Sequence, residues 1–156
     1  MKKSTKIILA AFVAVVALVF IFAKVKRISP LPWGHKMVNR SMLSTKAING
    51  YDAVAYFTEN KALLGKEAHS HHWKNADWYF FTAKNKKMFV ENPEKYAPQY
   101  GGYCAFAISK GFTANSDPYA FEIIDKKLYL FDSESIKTDW KVNLKENLRK
   151  CETNWK

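Results

Sequence analysis

The chain is poor in the residues that usually announce a mechanism. Its 156 residues hold two cysteines, Cys104 and Cys151, and no CxxC pair. At most one disulfide can be drawn, which excludes a cysteine framework, a thioredoxin-like pair and a zinc ribbon built on cysteines alone. No nucleophile–base–orienter set, phosphate loop or carboxylate pair stands in a readable motif, so an enzyme reading rests on Cys104 alone. Acidic residues are missing from the first forty positions, which carry eight Lys or Arg. Residues 41–156 carry seventeen basic and fourteen acidic residues. The net charge of +11 therefore belongs mainly to the N-terminal stretch, where it sets membrane topology or meets anionic headgroups. No RNA- or DNA-binding motif accompanies it, and nucleic acid is not an expected partner.

What is present begins with Ile7 to Ala23, seventeen residues without a polar side chain. Lys2, Lys3 and Lys6 precede the run, and Lys24, Lys26 and Arg27 close it. As a helix it is about 25 Å long, near the lower limit for crossing a bilayer core. A cleaved signal peptide is the alternative. The run exceeds the usual apolar region of one, and the best cleavage site, after Ala23, has Ile21 at the −3 position. The expectation is an uncleaved single-pass anchor over residues 1–27, with the domain on the extracytoplasmic, periplasmic side. Residues 28–46, with Pro30, Pro32 and Gly34, lack a sustained period and read as a linker near the membrane. His35, Met37 and Met42 are scattered within it.

From residue 47 onward the pattern is that of one small α+β domain. Ala53 to Phe57 is a short apolar run after turn-type Gly50-Tyr51-Asp52. His69 to Trp73 leads through Lys74-Asn75-Ala76-Asp77 into Trp78 to Phe81, a hairpin signal. Thr82 caps a helix carrying Met88 and Phe89 that Asn92-Pro93 ends. Phe121 to Ile124 and Leu128 to Phe131 flank Asp125-Lys126-Lys127 as a second hairpin. Ile136, Trp140, Leu144, Leu148 and Cys151 step by four, four, four and three, which predicts one apolar face of a C-terminal helix packed across the hairpins.

Three stretches resemble a known family. Gly50-Tyr51-Asp52-Ala53-Val54-Ala55-Tyr56-Phe57 looks like the opening motif of the YHS-domain family. Asn92-Pro93-Glu94-Lys95-Tyr96-Ala97-Pro98-Gln99-Tyr100-Gly101-Gly102-Tyr103-Cys104-Ala105 resembles its central signature almost residue for residue. Asp117-Pro118, Leu128-Tyr129-Leu130 and the closing Asn154-Trp155 match its stand-alone exported bacterial members, some labelled selenoproteins. The resemblance implies a small α+β module similar to the TRASH-like treble-clef domains, with transition-metal binding, copper above all, as the usual suggestion. The paired cysteines of metal-binding members are replaced here by Ala53-Val54 and by Phe80-Phe81-Thr82, leaving only Cys104 in a family motif.

Cys104 follows Gly101-Gly102 and precedes a short helical run, a placement in a first helical turn that favours thiolate. It is read either as a functional thiol or as a small packed hydrophobe. In a strand, His69 and His71 share a face with Trp73 while His72 points the other way. With Cys104, His71 and His69 supply a nitrogen–sulfur set suited to copper or zinc; a solvated polar strand is the plain alternative. Asp52 reads as an Asx-turn residue or an acid–base group, with Tyr51 and Tyr56 beside it. Tyr96, Tyr100 and Tyr103 read as partly buried aromatics, and Cys151 as core. A Cys104–Cys151 disulfide is compatible with an extracytoplasmic setting. The leading expectation is a non-catalytic anchored domain binding copper, zinc or another small ligand near Cys104 and His71. Its rivals are a thiol-redox protein using Cys104 and an interaction module docking an envelope protein.

Overall fold

The computed structural model describes residues 3–26, 28–40 and 44–155, with side chains from residue 7. Lys2, Arg27 and Met42, named above, lie outside the described residues, as do the side chains of Lys3 and Lys6. The chain is mixed α+β after one apolar N-terminal helix. That helix, α1 (Lys3–Val25), contains a 19-residue window, Ile7–Val25, with a mean hydropathy of 2.9 and none of it buried by protein. Nineteen residues span about 28 Å, so α1 is long and apolar enough to cross a bilayer core.

The segment read as a linker is instead built into the domain. Strand β1 (Ser29–Pro30) pairs antiparallel with β4 (Phe112–Thr113), and the Leu31 amide donates to the Gly111 carbonyl at 3.0 Å. Further on, the Asn39 amide donates to Gly101 O at 2.8 Å and its side chain to Gly102 O at 3.1 Å. These bonds need backbone against backbone. A Cβ on Gly101, whose φ is +62°, would stand 2.0 Å from the Met37 carbonyl oxygen. The two glycines serve close approach, not flexibility.

Both expected hairpins form, with tighter turns and longer first strands than expected, and with Ala76, Asp77 and Lys127 in strands. Strands β2 (Lys66–Trp73) and β3 (Ala76–Phe80) turn at Lys74-Asn75, and β5 (Asp117–Ile124) and β6 (Lys127–Phe131) at Asp125-Lys126. All four turn residues have positive φ, the two-residue geometry that matches strand twist. The run predicted from Ala53 to Phe57 forms a short helix, α2 (Ala55–Thr58). Thr82 caps α3 (Ala83–Glu91), its hydroxyl accepting from the Asn85 amide at 3.0 Å. Asn92 ends α3 and caps α4 (Pro93–Tyr96).

The core is two apolar clusters on either side of β6. Leu128 and Leu130 join Val54, Tyr56, Trp78, Phe80 and Phe89 on one side. Tyr129 and Phe131 join Tyr100, Cys104, Ile108, Trp140 and Cys151 on the other. Alternation along one strand thus divides the core. The predicted single C-terminal helix is two, α6 (Glu134–Val142) and α7 (Leu144–Asn154). Asn143 is non-helical between them, and the Asn147 side chain donates to the Trp140 carbonyl at 2.8 Å, satisfying a group the break leaves free. Trp140 and Cys151 are buried, but Ile136, Leu144 and Leu148 only border the cluster.

Candidate functional site

Cys104 stands at the N-cap of α5 (Ala105–Ser109), 2% exposed within the second cluster. Its amide donates to the Ala114 carbonyl at 3.1 Å, and it bridges to Leu130 of β6. The expected lowering of its pKa does not occur. Burial pushes the thiol up, and backbone hydrogen bonds near Ala107, Asp132 and Phe106 oppose this only in part. A five-residue helix offers a small dipole, so desolvation wins. Cys151 is likewise buried and free, its thiol donating to Ala105 O at 3.2 Å. Burial pushes it up to about 12, against a weak opposing pull from Tyr100 and Trp140. No Cys104–Cys151 disulfide is formed.

The histidines sit elsewhere. His71 faces Trp78 across the hairpin and lies edge-on to Phe89, with ring centres 6.4 Å apart, beside the first cluster. His69 falls where the β2–β3 register slips, between Lys66 and Ser70. The structure therefore packs Cys104 with one cluster and His71 with the other. His72, on the opposite face, takes up the acidic partner: its Nδ1 donates to Asp77 Oδ1 at 2.6 Å. The Thr45 hydroxyl also donates to Asp77. These bonds, Thr45 first and His72 next, hold the Asp77 carboxyl below its usual range, helped by the field of Arg40. Among the described residues, no group of three or more His, Cys, Asp or Glu is gathered closely enough to hold a metal.

Asp52 behaves as the Asx-turn residue its glycine neighbour implied. Fully buried, its Oδ1 accepts from the amides of Val54 at 2.8 Å and Ala55 at 3.2 Å. Its Oδ2 accepts from the Phe81 amide at 2.8 Å and Asn85 Nδ2 at 2.7 Å. The carboxylate thus ties α2 to the β3–α3 junction, leaving no face open to a substrate. Tyr56 donates to Pro118 O at 3.0 Å, and burial raises its pKa. Tyr51 meets the Tyr119 hydroxyl at 3.2 Å. Tyr96, Tyr100 and Tyr103, expected to be partly buried, are all buried in the core.

The stretches 92–105 and 154–155 both contribute to a cleft of about 170 Å³. One wall is Ala97-Pro98-Gln99-Tyr100-Gly101 from the central signature, and another is Trp155 from the closing motif. Trp73 and Trp78 come from the hairpin, and Met37 and Val38 from the segment docked on Gly101. The Trp78 indole donates to Trp73 O at 3.0 Å, which spends its polar edge and leaves apolar ring in the cleft. Lys74 lies 4.4 Å from the Trp73 ring centre and pairs with Glu94 at 2.8 Å on the rim. Both partners of that pair are exposed, so it contributes little stability. Among the described residues, neither the Gln99 amide nor the Trp155 indole nitrogen hydrogen-bonds within the protein. Four aromatic residues, Trp73, Trp78, Tyr100 and Trp155, thus line the cleft beside two available polar groups.

Trp73 and Trp155 were missed by residue-by-residue reading. Strand alternation put Trp73 on the His71 face, but only the fold carries Trp155 to it. Compared with known proteins, the chain matches no family model, no curated protein and no solved structure.

Proposed function

We propose that this chain is a membrane-anchored, non-catalytic recognition module of the YHS type, with its domain on the extracytoplasmic side. The aromatic cleft docks one apolar side chain of an envelope protein partner. The family reading rests on the three sequence stretches. The functional one rests on the convergence of the central and closing stretches on that cleft. Size decides the class of occupant. Cofactor and drug-sized sites run from roughly 300 to 1,000 Å³, whereas a cavity near 150 Å³ takes a single benzene-sized group. At about 170 Å³, the cleft suits one side chain.

The test is a photoreactive benzophenone amino acid placed at position 99 of the full-length chain in its native membranes. A discrete protein adduct is expected, lost on Trp155→Ala and not formed from position 145 on α7. Adducts equal at both positions, or insensitive to Trp155→Ala, count against the proposal. The rival reading places copper or zinc at Cys104, His71 and His69. It requires that copper(I) or zinc raise the melting temperature of the full-length chain in detergent, and that Cys104→Ser abolish the rise. No rise is expected here, because the two groups pack with different clusters and the thiol is held protonated.

A further inference from the structure

A second and larger cavity, about 520 Å³, opens where α1 meets the domain. Its volume lies within the roughly 300–1,000 Å³ of small-molecule sites. One side is apolar helix: Val19, Phe20 and Ala23, all inside the window long enough to span a bilayer. The other side is domain backbone from Ile28 to Pro30, with Trp33 and the basic residues Lys36 and Arg40. Lys24 closes it at the end of the apolar run. Among the described residues, the lining therefore carries three permanent cations and no carboxylate.

The neighbouring charges explain why these cations are available. Lys26 is taken up by Asp132 at 3.4 Å. Among the described residues Lys24 and Lys36 have no ion-pair partner, and Arg40 contributes only a field at Asp77. His35 also lines the cavity, and both its ring nitrogens are buried without a protein hydrogen-bond partner. Buried polar atoms are nearly always paired. Trp33 is 83% exposed, a costly position for indole in water and the usual one at a bilayer interface. The apolar wall suits a phospholipid's acyl chain, the cations its phosphate, and the exposed tryptophan the interfacial glycerol zone between them.

We infer that this cavity binds one anionic phospholipid of the surrounding bilayer. An acyl chain lies along Val19 and Phe20, and the headgroup phosphate is held among Lys24, Lys36 and Arg40. The inference rests on α1 lying in the membrane, as proposed, but not on the aromatic cleft or its partner. A peptide segment would fill the apolar part equally well but would leave the three cations unmatched.

The experiment is native mass spectrometry of the full-length chain in detergent, titrated with phosphatidylglycerol or with phosphatidylcholine of the same acyl chains. Each basic residue near a headgroup is worth about a fivefold preference. The unmodified chain should retain phosphatidylglycerol at least about tenfold better than phosphatidylcholine. K24Q/K36Q/R40Q should lose that preference, whereas K110Q/K145Q, which removes two exposed cations outside the cavity, should keep it. Equal retention of the two lipids overturns the inference, as does an equal loss in the control variant, which would mark a diffuse charge effect. If the triple variant fails to give a cooperative melt, Lys36→Gln alone replaces it, with about a fivefold loss expected and no change overturning. Extraction of the unmodified chain by carbonate would instead remove the membrane premise, and is read separately.

Discussion

Replacing Asp52 by alanine should be among the most damaging single changes in the domain. The carboxylate accepts four hydrogen bonds, from the amides of Val54, Ala55 and Phe81 and from Asn85 Nδ2, and is fully buried. Hydrogen bonds to a charged group contribute about 1.5–3 kcal/mol each, and a buried group left unpaired costs about 1–3 kcal/mol. Four such terms do not add, because the loosened loop admits water to some donors. A loss of about 3–5 kcal/mol is expected, the upper end of single-residue effects. Asp52→Asn keeps the shape but turns an NH₂ toward two donors on one side, so it should still cost about 2–4 kcal/mol. Asn85→Ala removes one of the four and should cost about 1–2 kcal/mol. Urea unfolding of the full-length chain in mild detergent, followed by tryptophan fluorescence, measures all three. The double variant Asp52→Ala/Asn85→Ala should be markedly less damaged than the two singles combined, since the second change removes a donor already orphaned. An Asp52→Ala loss below about 1 kcal/mol would refute the reasoning and return Asp52 to the list of free acidic groups.

Gly101→Ala should cost at least about 2 kcal/mol by chemical denaturation, from positive φ and the Met37 carbonyl together. A neutral result would mean the 37–39 segment is not docked. Trp140→Ala should cost about 3–5 kcal/mol, and half-buried Leu144→Ala clearly less, about 1–2 kcal/mol; the reverse order in urea titrations would restore the single-helix reading. Cys104 and Cys151 should resist iodoacetamide at neutral pH until the chain unfolds, followed by mass shift, because burial raises both thiols; rapid labelling of either in the folded state would contradict this. The depressed Asp77 carboxyl stabilises the fold above its ordinary value of 3.8. That stability should fade as pH drops below about 4, and Asp77→Asn should flatten this part of the pH–stability curve.

Local signals were legible where the responsible residues are neighbours in sequence. The Thr82 cap, the turn regions at 74–77 and 125–127 and the Asx turn at Asp52 each draw on a few adjacent positions, and each was readable, though both turns proved tighter. The α1 helix was readable from its length and composition. The break at Asn143 was not, because the stripe from Ile136 to Cys151 keeps helical spacing across it and the compensating bond comes from Asn147. The docking of residues 37–39 was also hidden, since it depends on the absence of a side chain at Gly101, more than sixty positions away. Cys104 illustrates the limit at a candidate site. The sequence shows the helix start that lowers a thiol pKa but not the Phe131, Trp140 and Cys151 cluster whose desolvation raises it. The cleft and the larger cavity beside α1 are assembled from segments far apart in the chain, and no window of sequence contains either.

The stapling of β1 to β4 has a mechanical consequence. Between the end of α1 at Val25 and the first paired strand residue, Ser29, only three residues intervene, at most about 10 Å of extended chain. The junction is also bonded to the domain: the Asn115 amide donates to Lys26 O at 2.8 Å and its side chain to Val25 O at 3.1 Å. A domain on a slack tether would sweep a hemisphere above the bilayer and meet partners at any angle. This one has almost no leash. When the helix turns the domain must turn with it, so the heading of the aromatic cleft is set by the azimuth of the helix. Inserting two or three glycines after Val25 would uncouple the two motions without altering either part.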